Sequence, residues 1–397
     1  MIKRTTKIFY LVTGISEFFV AFHFGTYVLF LLSHQLTLFE VSLVNMVFMT
    51  TMFLFEVPTG AIADIFGRRF SYLLSCLVTA AGFLFYGFSS TLAGFMLAEA
   101  ILALGATLTS GALDAWFVDS LKFYGYQGSF HNFFARQARI LNGATIFGAL
   151  AGGYLGRLNL AYNWFVAGFG FLLVAWLASR LMKEEYFQPN GNGIKGILSD
   201  FREVAGSSFH YGKSSKAFVL LVLIGVGVSI ATMAPNMQWQ PVFRRYFNDP
   251  ALFGWLWAAM SVAVIIGNTL VPWLAKKLPG QKWVFALALL VIGVGVIITP
   301  WASGLLITLL FFLFHEMGRG VLRPSLDAYL NRIIPSNWRA TLLSIYSMTT
   351  TGGAALGLLI SGYLAERYSI PLTWSLAGGL LLLLIPISLK LKEEGKN

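Results

Sequence analysis

Long apolar runs separated by short polar breaks organise this chain. Crossing about 30 Å of hydrocarbon takes roughly 20 apolar residues. Twelve such runs can be counted, at 7–33, 40–65, 70–89, 91–121, 130–157, 160–182, 216–246, 250–276, 282–301, 303–333, 338–366 and 370–390. The runs are continuous rather than alternating, which predicts helices rather than barrel strands, because lipid demands that backbone groups be satisfied within the segment. The pattern breaks at 183–215, KEEYFQPNGNGIKGILSDFREVAGSSFHYGKSS, where hydrophobicity falls and Gly, Asn, Ser and charge accumulate. This predicts an all-α polytopic membrane protein: a six-helix bundle over 1–182, a cytoplasmic linker over 183–215 and a second six-helix bundle over 216–397, related by pseudo-symmetry.

Internal similarity supports a duplication. LDAW at 113–116 is matched by LDAY at 326–329, with Gly105 and Gly318 in the same register. Gly143, Gly148, Gly153, Tyr154 and Leu155 recur 209 residues later as Gly352, Gly357, Gly362, Tyr363 and Leu364. Composition agrees with membrane embedding, since 57% hydrophobic residues and 36 Phe exceed what a soluble core can hide. A net charge of +11 raises the question of nucleic acid. With a cytoplasmic N-terminus, however, all Lys and Arg fall on the inner side except Arg157, Arg244, Arg245 and Arg367. The basicity therefore reports topology, with both termini cytoplasmic in the plasma (inner) membrane, and no nucleic-acid partner is expected. The first run is too long for a signal peptide and lacks a small-residue cleavage pattern, so it is read as a permanent span. Lone Cys76 excludes an internal disulfide and a thiolate metal cluster.

Charge is concentrated in EVPTGAIADIFGRR at 56–69, between the second and third spans. Gly60-x-x-x-Asp64-x-x-Gly67-Arg68-Arg69 resembles the signature loop of the major facilitator superfamily. The six-plus-six organisation with a long central loop resembles that family over the whole chain. The sequence departs at Ile65, where a basic residue often follows the aspartate, and at Lys277 in KKLPGQK, where the repeat would place an aspartate. The resemblance implies a transporter, not an enzyme, whose loop pins the cytoplasmic side shut. By resemblance Arg68 would meet Asp119, and Asp64 would face the start of the eleventh span near Arg339. The residues themselves suit a latch: Gly60 permits close helix approach, Gly67 a tight turn, and Asp64 can accept from exposed N–H groups at a helix N-terminus. The competing reading is that Arg68 and Arg69 merely obey the charge rule and touch headgroups. Gly148-Ala-Leu-Ala-Gly152-Gly153 looks like the glycine motif of the family's proton-coupled drug exporters, with Ala149 at the usual proline. Ordinary small-residue packing explains it as well.

Ionisable groups inside spans are costly and are retained for use or for pairing. At about 1.5 Å per residue, Glu17 falls near the middle of span one. His315, Glu316 and Arg319 fall near the middle of span ten, and Glu99 in the outer part of span four, where such exporters often carry an arginine. By resemblance, spans one, four, seven and ten line a central cavity, which would place Glu99 and Arg319 in it. Glu316 to Arg319 is i,i+3 and Arg323 to Asp327 is i,i+4, so a self-neutralising salt ladder and a substrate site both stand. Glu17 has no partner in its own span and is the first candidate for proton coupling, ahead of Glu316 and His315. Its alternative is an acid satisfied by a hydroxyl or a base elsewhere.

Span seven carries APNMQWQP at 234–241. Pro235 and Pro241 remove ladder donors, and interrupted spans mark transporter sites. Asn236, Gln238 and Trp239 could therefore bind substrate, or the segment could be a kinked outer gate. No GxxxxGK[ST] loop is present, so coupling to ATP is unsupported; no cofactor and no metal are expected. The expected function is secondary active transport by a monomer, with a small-molecule substrate, protons and the lipid bilayer as partners. Proton-coupled export of an amphipathic molecule leads. The alternative is proton-coupled uptake of an anionic metabolite, clamped by Arg319 and Arg323.

Overall fold

The computed structural model describes residues 1–187, 215–335 and 338–391, with the side chains of Val57, Ala61, Asp64 and Ala340 excepted. Most of the expected linker, and its boundary with the second half, thus lies outside the described residues. The described chain is all α. Its first half comprises α1 (Ile2–Val20), a 3-10 turn (Ala21–His23), α2 (Tyr27–Ser33), α3 (Leu38–Phe66), α4 (Arg68–Phe88), α5 (Leu92–Thr109), α6 (Ala112–Phe123), α7 (His131–Gly156) and α8 (Ala161–Leu181). Its second half comprises α9 (Lys216–Phe243), α10 (Pro250–Lys277), α11 (Gln281–Ile298), α12 (Leu305–Ile333), α13 (Arg339–Arg367), α14 (Ile370–Leu383) and α15 (Ile385–Leu389). Among the described residues, 11 helical segments are long and apolar enough to cross a membrane, some of them joining two helices. The exception among the twelve expected spans is α7, which is fully helical but diluted by its glycines and a polar first third containing Arg136, Gln137 and Arg139.

The chain forms two compact units. Unit 1 comprises Met1–Gln35, Val47–Ser199 and Asp249–Ala258; unit 2 comprises Leu36–Met46, Asp200–Asn248 and Ala259–Asn397. In unit 1, α4 packs against α5 and α8, and α1 against α7 and α8. In unit 2, α11 packs against α12 and α14, and α9 against α13. Each unit thus takes in the first turns of one helix, α3 or α10, whose remainder lies in the other.

Small residues permit these close approaches. A Cβ on Gly105 of α5 would stand 2.2 Å from Thr79 Oγ1 on α4, and one on Gly152 of α7 would stand 1.8 Å from the Phe22 carbonyl oxygen. The glycine run of the fifth span is therefore a packing surface.

The helix interruptions differ from those expected. α9 runs unbroken through Pro235 and Pro241. Packed neighbours in a membrane bundle tolerate the two lost donors. The first span, with no proline, does break: α1 tightens into the 3-10 turn, Phe24–Thr26 leave the helix, and α2 resumes at Tyr27. The fourth span breaks at Gly111, whose φ of +70° lies in the left-handed region that favours glycine.

Candidate functional site

At the start of α4, Gly67 adopts φ +94° and leaves the first N–H groups of the helix unpaired within it. Glu184, just past α8, takes them: Oε1 accepts from Arg68 N at 2.7 Å and Oε2 from Arg69 N at 2.9 Å. A carboxylate at a helix N-terminus also opposes the helix dipole. Tyr186 donates to Glu184 at 3.2 Å, and Trp116 Nε1 donates to the Lys183 carbonyl at 2.8 Å. Burial, with Glu184 and Asp119 nearby, pushes the Tyr186 hydroxyl well above its usual range, against the opposing pull of Arg68. Asp119 and Arg68, the expected pair, thus share the neighbourhood of Tyr186. Arg69 donates through Nη2 to the Ser179 carbonyl at 2.7 Å, a protein contact rather than a headgroup contact alone. Two other expectations turn out differently. Gly60 faces open space, with nothing within 4 Å of a Cβ placed there, so it mediates no close helix approach. Arg339 donates to the Asn331 carbonyl at 3.4 Å, and the Asp64 side chain expected near it lies outside the described side chains.

Within unit 1, Glu17 on α1 is half-buried and accepts a hydrogen bond from Thr145 Oγ1 of α7 at 2.6 Å. Glu99 on α5 is 4% exposed, so it is an interior group rather than the wet cavity wall expected. Its Oε1 accepts from Tyr27 Oη at 2.7 Å and Tyr86 Oη at 3.3 Å. A cavity of about 490 Å³ is lined by Arg136, Arg139 and Ile140 of α7. Arg136 stacks over the Tyr10 ring, and Arg139 donates to the Ala135 carbonyl of its own helix.

Within unit 2, Glu316 is buried and engaged on two sides: Arg319 Nη1 lies 2.8 Å and His315 Nε2 3.2 Å from its Oε1. The i,i+3 neutralisation anticipated from spacing is therefore present, and Arg323 pairs with Asp327 at 3.1 Å. Gln238 and Trp239, expected at a substrate surface, are core residues. Gln238 donates to the Ser361 carbonyl at 3.0 Å and accepts from Trp374 Nε1 at 3.1 Å. Trp239 packs on Phe312 with ring centroids 6.3 Å apart. Because α9 stays helical through both prolines, these side chains turn inward, and only Asn236 of the three remains half-exposed.

Two contacts tie the exchanged helix starts to their adopted units. In unit 1, Arg157 after α7 grips Asp249 with two nitrogens, Nε donating to Oδ1 at 2.7 Å, while Asp249 Oδ1 also accepts from Ala251 N at 3.0 Å. The Arg157 hydrogen bonds hold the Asp249 carboxyl at about 2. In unit 2, Glu366 of α13 accepts from Phe39 N at the start of α3 at 3.0 Å. Arg157 and Glu366 occupy equivalent positions of the 209-residue repeat. The same structural position therefore anchors a neighbouring helix start in both repeats, with opposite charge.

Residues 217–397 match the family model of the Major Facilitator Superfamily. Over 96% of its length the chain is 22% identical to YxaM of Bacillus subtilis (strain 168), an MFS-type transporter, covering 94% of that protein. It is 26% identical to a second MFS-type transporter of that bacterium, YttB, over 56% of this chain and 57% of that one. Over nearly its whole length the chain is thus similar to a major facilitator transporter, and its second half matches the family model. The fold is shared with the nucleoside transporter NupG, at a TM-score of 0.78 and 14% identity over 98% of both chains. It is shared also with the human organic anion transporter MFSD10, at a TM-score of 0.67 and 14% identity over 98% of this chain and 99% of that one. The 11 membrane-length apolar segments among its described residues fit a multi-pass membrane protein of that kind.

Sequence reasoning missed Glu184, the Arg157–Asp249 pair and Glu366. The last two were discoverable, since both repeats carry a charge two residues after the same Gly-Tyr-Leu. Glu184 left only a weak signal, an acid at the head of a polar linker, and its partner is a backbone that the sequence does not mark.

Proposed function

We propose that this transporter exports an amphipathic small molecule in exchange for protons, with Glu17 as the coupling group. The observation that carries this reading is the contrast between the mid-span acids. Glu316 already has Arg319 as a counter-charge, so its charge is spoken for. Glu17 is half-buried and its described partner is a hydroxyl, so a proton is free to come and go without breaking an ion pair. The distribution of Lys and Arg supports a cytoplasmic N-terminus, which would make the loop at Gly67 and its Glu184 seat a cytoplasmic latch. The transporter is proposed to act as a monomer in the plasma membrane.

The experiment is reconstitution into liposomes with an imposed pH gradient and a mixed compound panel, comparing wild type with Glu17→Gln. Export is supported if substrate moves against the direction of proton flow and Glu17→Gln loses the pH dependence. Accumulation only in the direction of proton flow would overturn export. Unchanged pH dependence in Glu17→Gln would remove the coupling assignment.

A second reading, uptake of an anionic metabolite, is favoured by Arg136 and Arg139. The clamp expected from Arg319 and Arg323 is engaged by Glu316 and Asp327. Arg136 and Arg139 instead stand one helical turn apart on a cavity wall with no carboxylate partner among the described residues. Guanidinium pairs suit carboxylate and phosphate recognition. Loss of anion uptake in Arg136→Gln/Arg139→Gln, with other substrates unaffected, would favour this reading over export.

A further inference from the structure

The break in the first span coincides with a cluster of interior polar groups that the coupling role of Glu17 does not use. His23 ends the 3-10 turn and Tyr27 opens α2, so both stand at the break, and both are half-buried. Tyr27 reaches from there to Glu99. Tyr86 of α4 supports the same carboxylate oxygen and stacks on Trp164 of α8 with ring centroids 3.8 Å apart. His23 also stacks on Trp164, at 4.7 Å. Two buried atoms at the break lack hydrogen-bond partners: His23 Nδ1, and Asn163 Oδ1, whose amide nitrogen donates to Thr26 Oγ1 at 2.8 Å.

Among the described residues no lysine or arginine pairs with Glu99. The titratable groups facing it are Tyr27 from α2 and Tyr86 from α4, with His23 one ring away across Trp164 and His34 beyond Phe95, which His34 meets at 5.3 Å. A buried carboxylate without a counter-charge is costly, because hydroxyl donors offset only part of the lost hydration. The ligand that cancels this charge without needing space is a proton. Interrupted spans are where transporters place their ion sites, and a mid-span stretch of 3-10 helix commonly marks a functional hinge.

We propose that Glu99, Tyr27 and His23 form a proton-exchange site at the break in the first span, separate from Glu17. Half-buried Tyr27 links the interior acid to the surface of the unit. When a proton arrives, the Glu99 carboxylate becomes a carboxylic acid, and Tyr27 Oη turns from donor to acceptor in their shared hydrogen bond. The reverse step returns the proton. His23, whose ring centroid lies 6.2 Å from that of Tyr27, is the next titratable group along the break. The site deepens the proton-coupled reading above and rests on it only for its role in transport.

The test is infrared difference spectroscopy of the purified full-length transporter in lipid, titrated in pH and followed at the C=O stretch of protonated carboxyl groups. Wild type, Glu99→Gln, Glu17→Gln and Tyr27→Phe are compared. The expected result is a titrating carboxyl component that disappears in Glu99→Gln, survives in Glu17→Gln and shifts its midpoint in Tyr27→Phe. Spectra of Glu99→Gln and wild type that superimpose across the titration would overturn the proposal. Should Glu99→Gln fail to fold, an unshifted wild-type titration in Tyr27→Phe would overturn it equally. If the component titrates as expected while liposome transport ignores the pH gradient, the site stands and the coupling reading falls.

Discussion

Replacing Glu184 by alanine should loosen α4 by an amount the geometry bounds. The substitution removes two hydrogen bonds from a carboxylate to N-terminal amides, at 2.7 and 2.9 Å. Bonds to charged groups are each worth about 1.5–3 kcal/mol, and helix-capping side chains about 1 kcal/mol net when water can take their place. Glu184 is half-buried, so partial replacement by water applies, and the expected loss is about 2 kcal/mol. For a unit of this size that corresponds to a fall in Tm of roughly 4–8 °C. The chain supplies its own probe. Cys76, its single cysteine, lies fully buried in α4, so a thiol-reactive dye reports the loss of this helix's packing on heating. Gly67 adds a second leg. An alanine there is strained at φ +94°, at about 1–3 kcal/mol, and its Cβ would stand 2.6 Å from Glu184 Oε2. Removing Glu184 relieves the clash but not the strain. Gly67→Ala should therefore cost less in the Glu184→Ala background than alone, with a coupling on the order of 1 kcal/mol. A Glu184→Ala protein melting within about 1 °C of wild type, or strictly additive losses in the double variant, would refute this account of the Glu184 contact.

Other consequences can be checked separately. Because Arg157 holds Asp249 at about 2, below the ordinary carboxylate value of 3.8, this pair contributes stability that is fully present above the ordinary value and is lost as pH falls toward 2. Acid titration of thermal stability should show that loss in wild type and not in Arg157→Gln. Gly152→Leu should force α7 away from the Phe22 carbonyl and destabilise unit 1 by about 2–3 kcal/mol, read as a lower Tm. Gln238→Leu strands Trp374 Nε1 and the Ser361 carbonyl, for a loss of about 1–3 kcal/mol, whereas a true substrate contact would alter transport at unchanged Tm. Arg319→Ala should cost about 3 kcal/mol by leaving Glu316 buried without its guanidinium, and Glu316→Gln in the same protein should restore part of it.

The hydrophobic pattern alone determined the spans, because a backbone in lipid has almost no choice but helix once a run is long enough to cross. It also determined the repeat, and the ion pairs of span ten, since i,i+3 and i,i+4 neighbours meet on any helix whatever surrounds it. Tertiary structure decided where the chain breaks and which polar groups are left over. Pro235 and Pro241 looked like the interruption, yet α9 stays helical through both and Gln238 and Trp239 are core. The real break, at Phe24–Thr26, is marked in the sequence only by Gly25, one glycine among 40; it follows the 3-10 turn, where Gly152 of α7 approaches the Phe22 carbonyl closely enough to exclude a Cβ. The partner of Gly67 and Arg68 was likewise invisible, because Glu184 answers to backbone amides, and those carry no letter in a sequence. Contacts within one helix are set by spacing, and spacing can be read. Contacts between helices depend on which faces meet, and that was settled only by the packing within each unit.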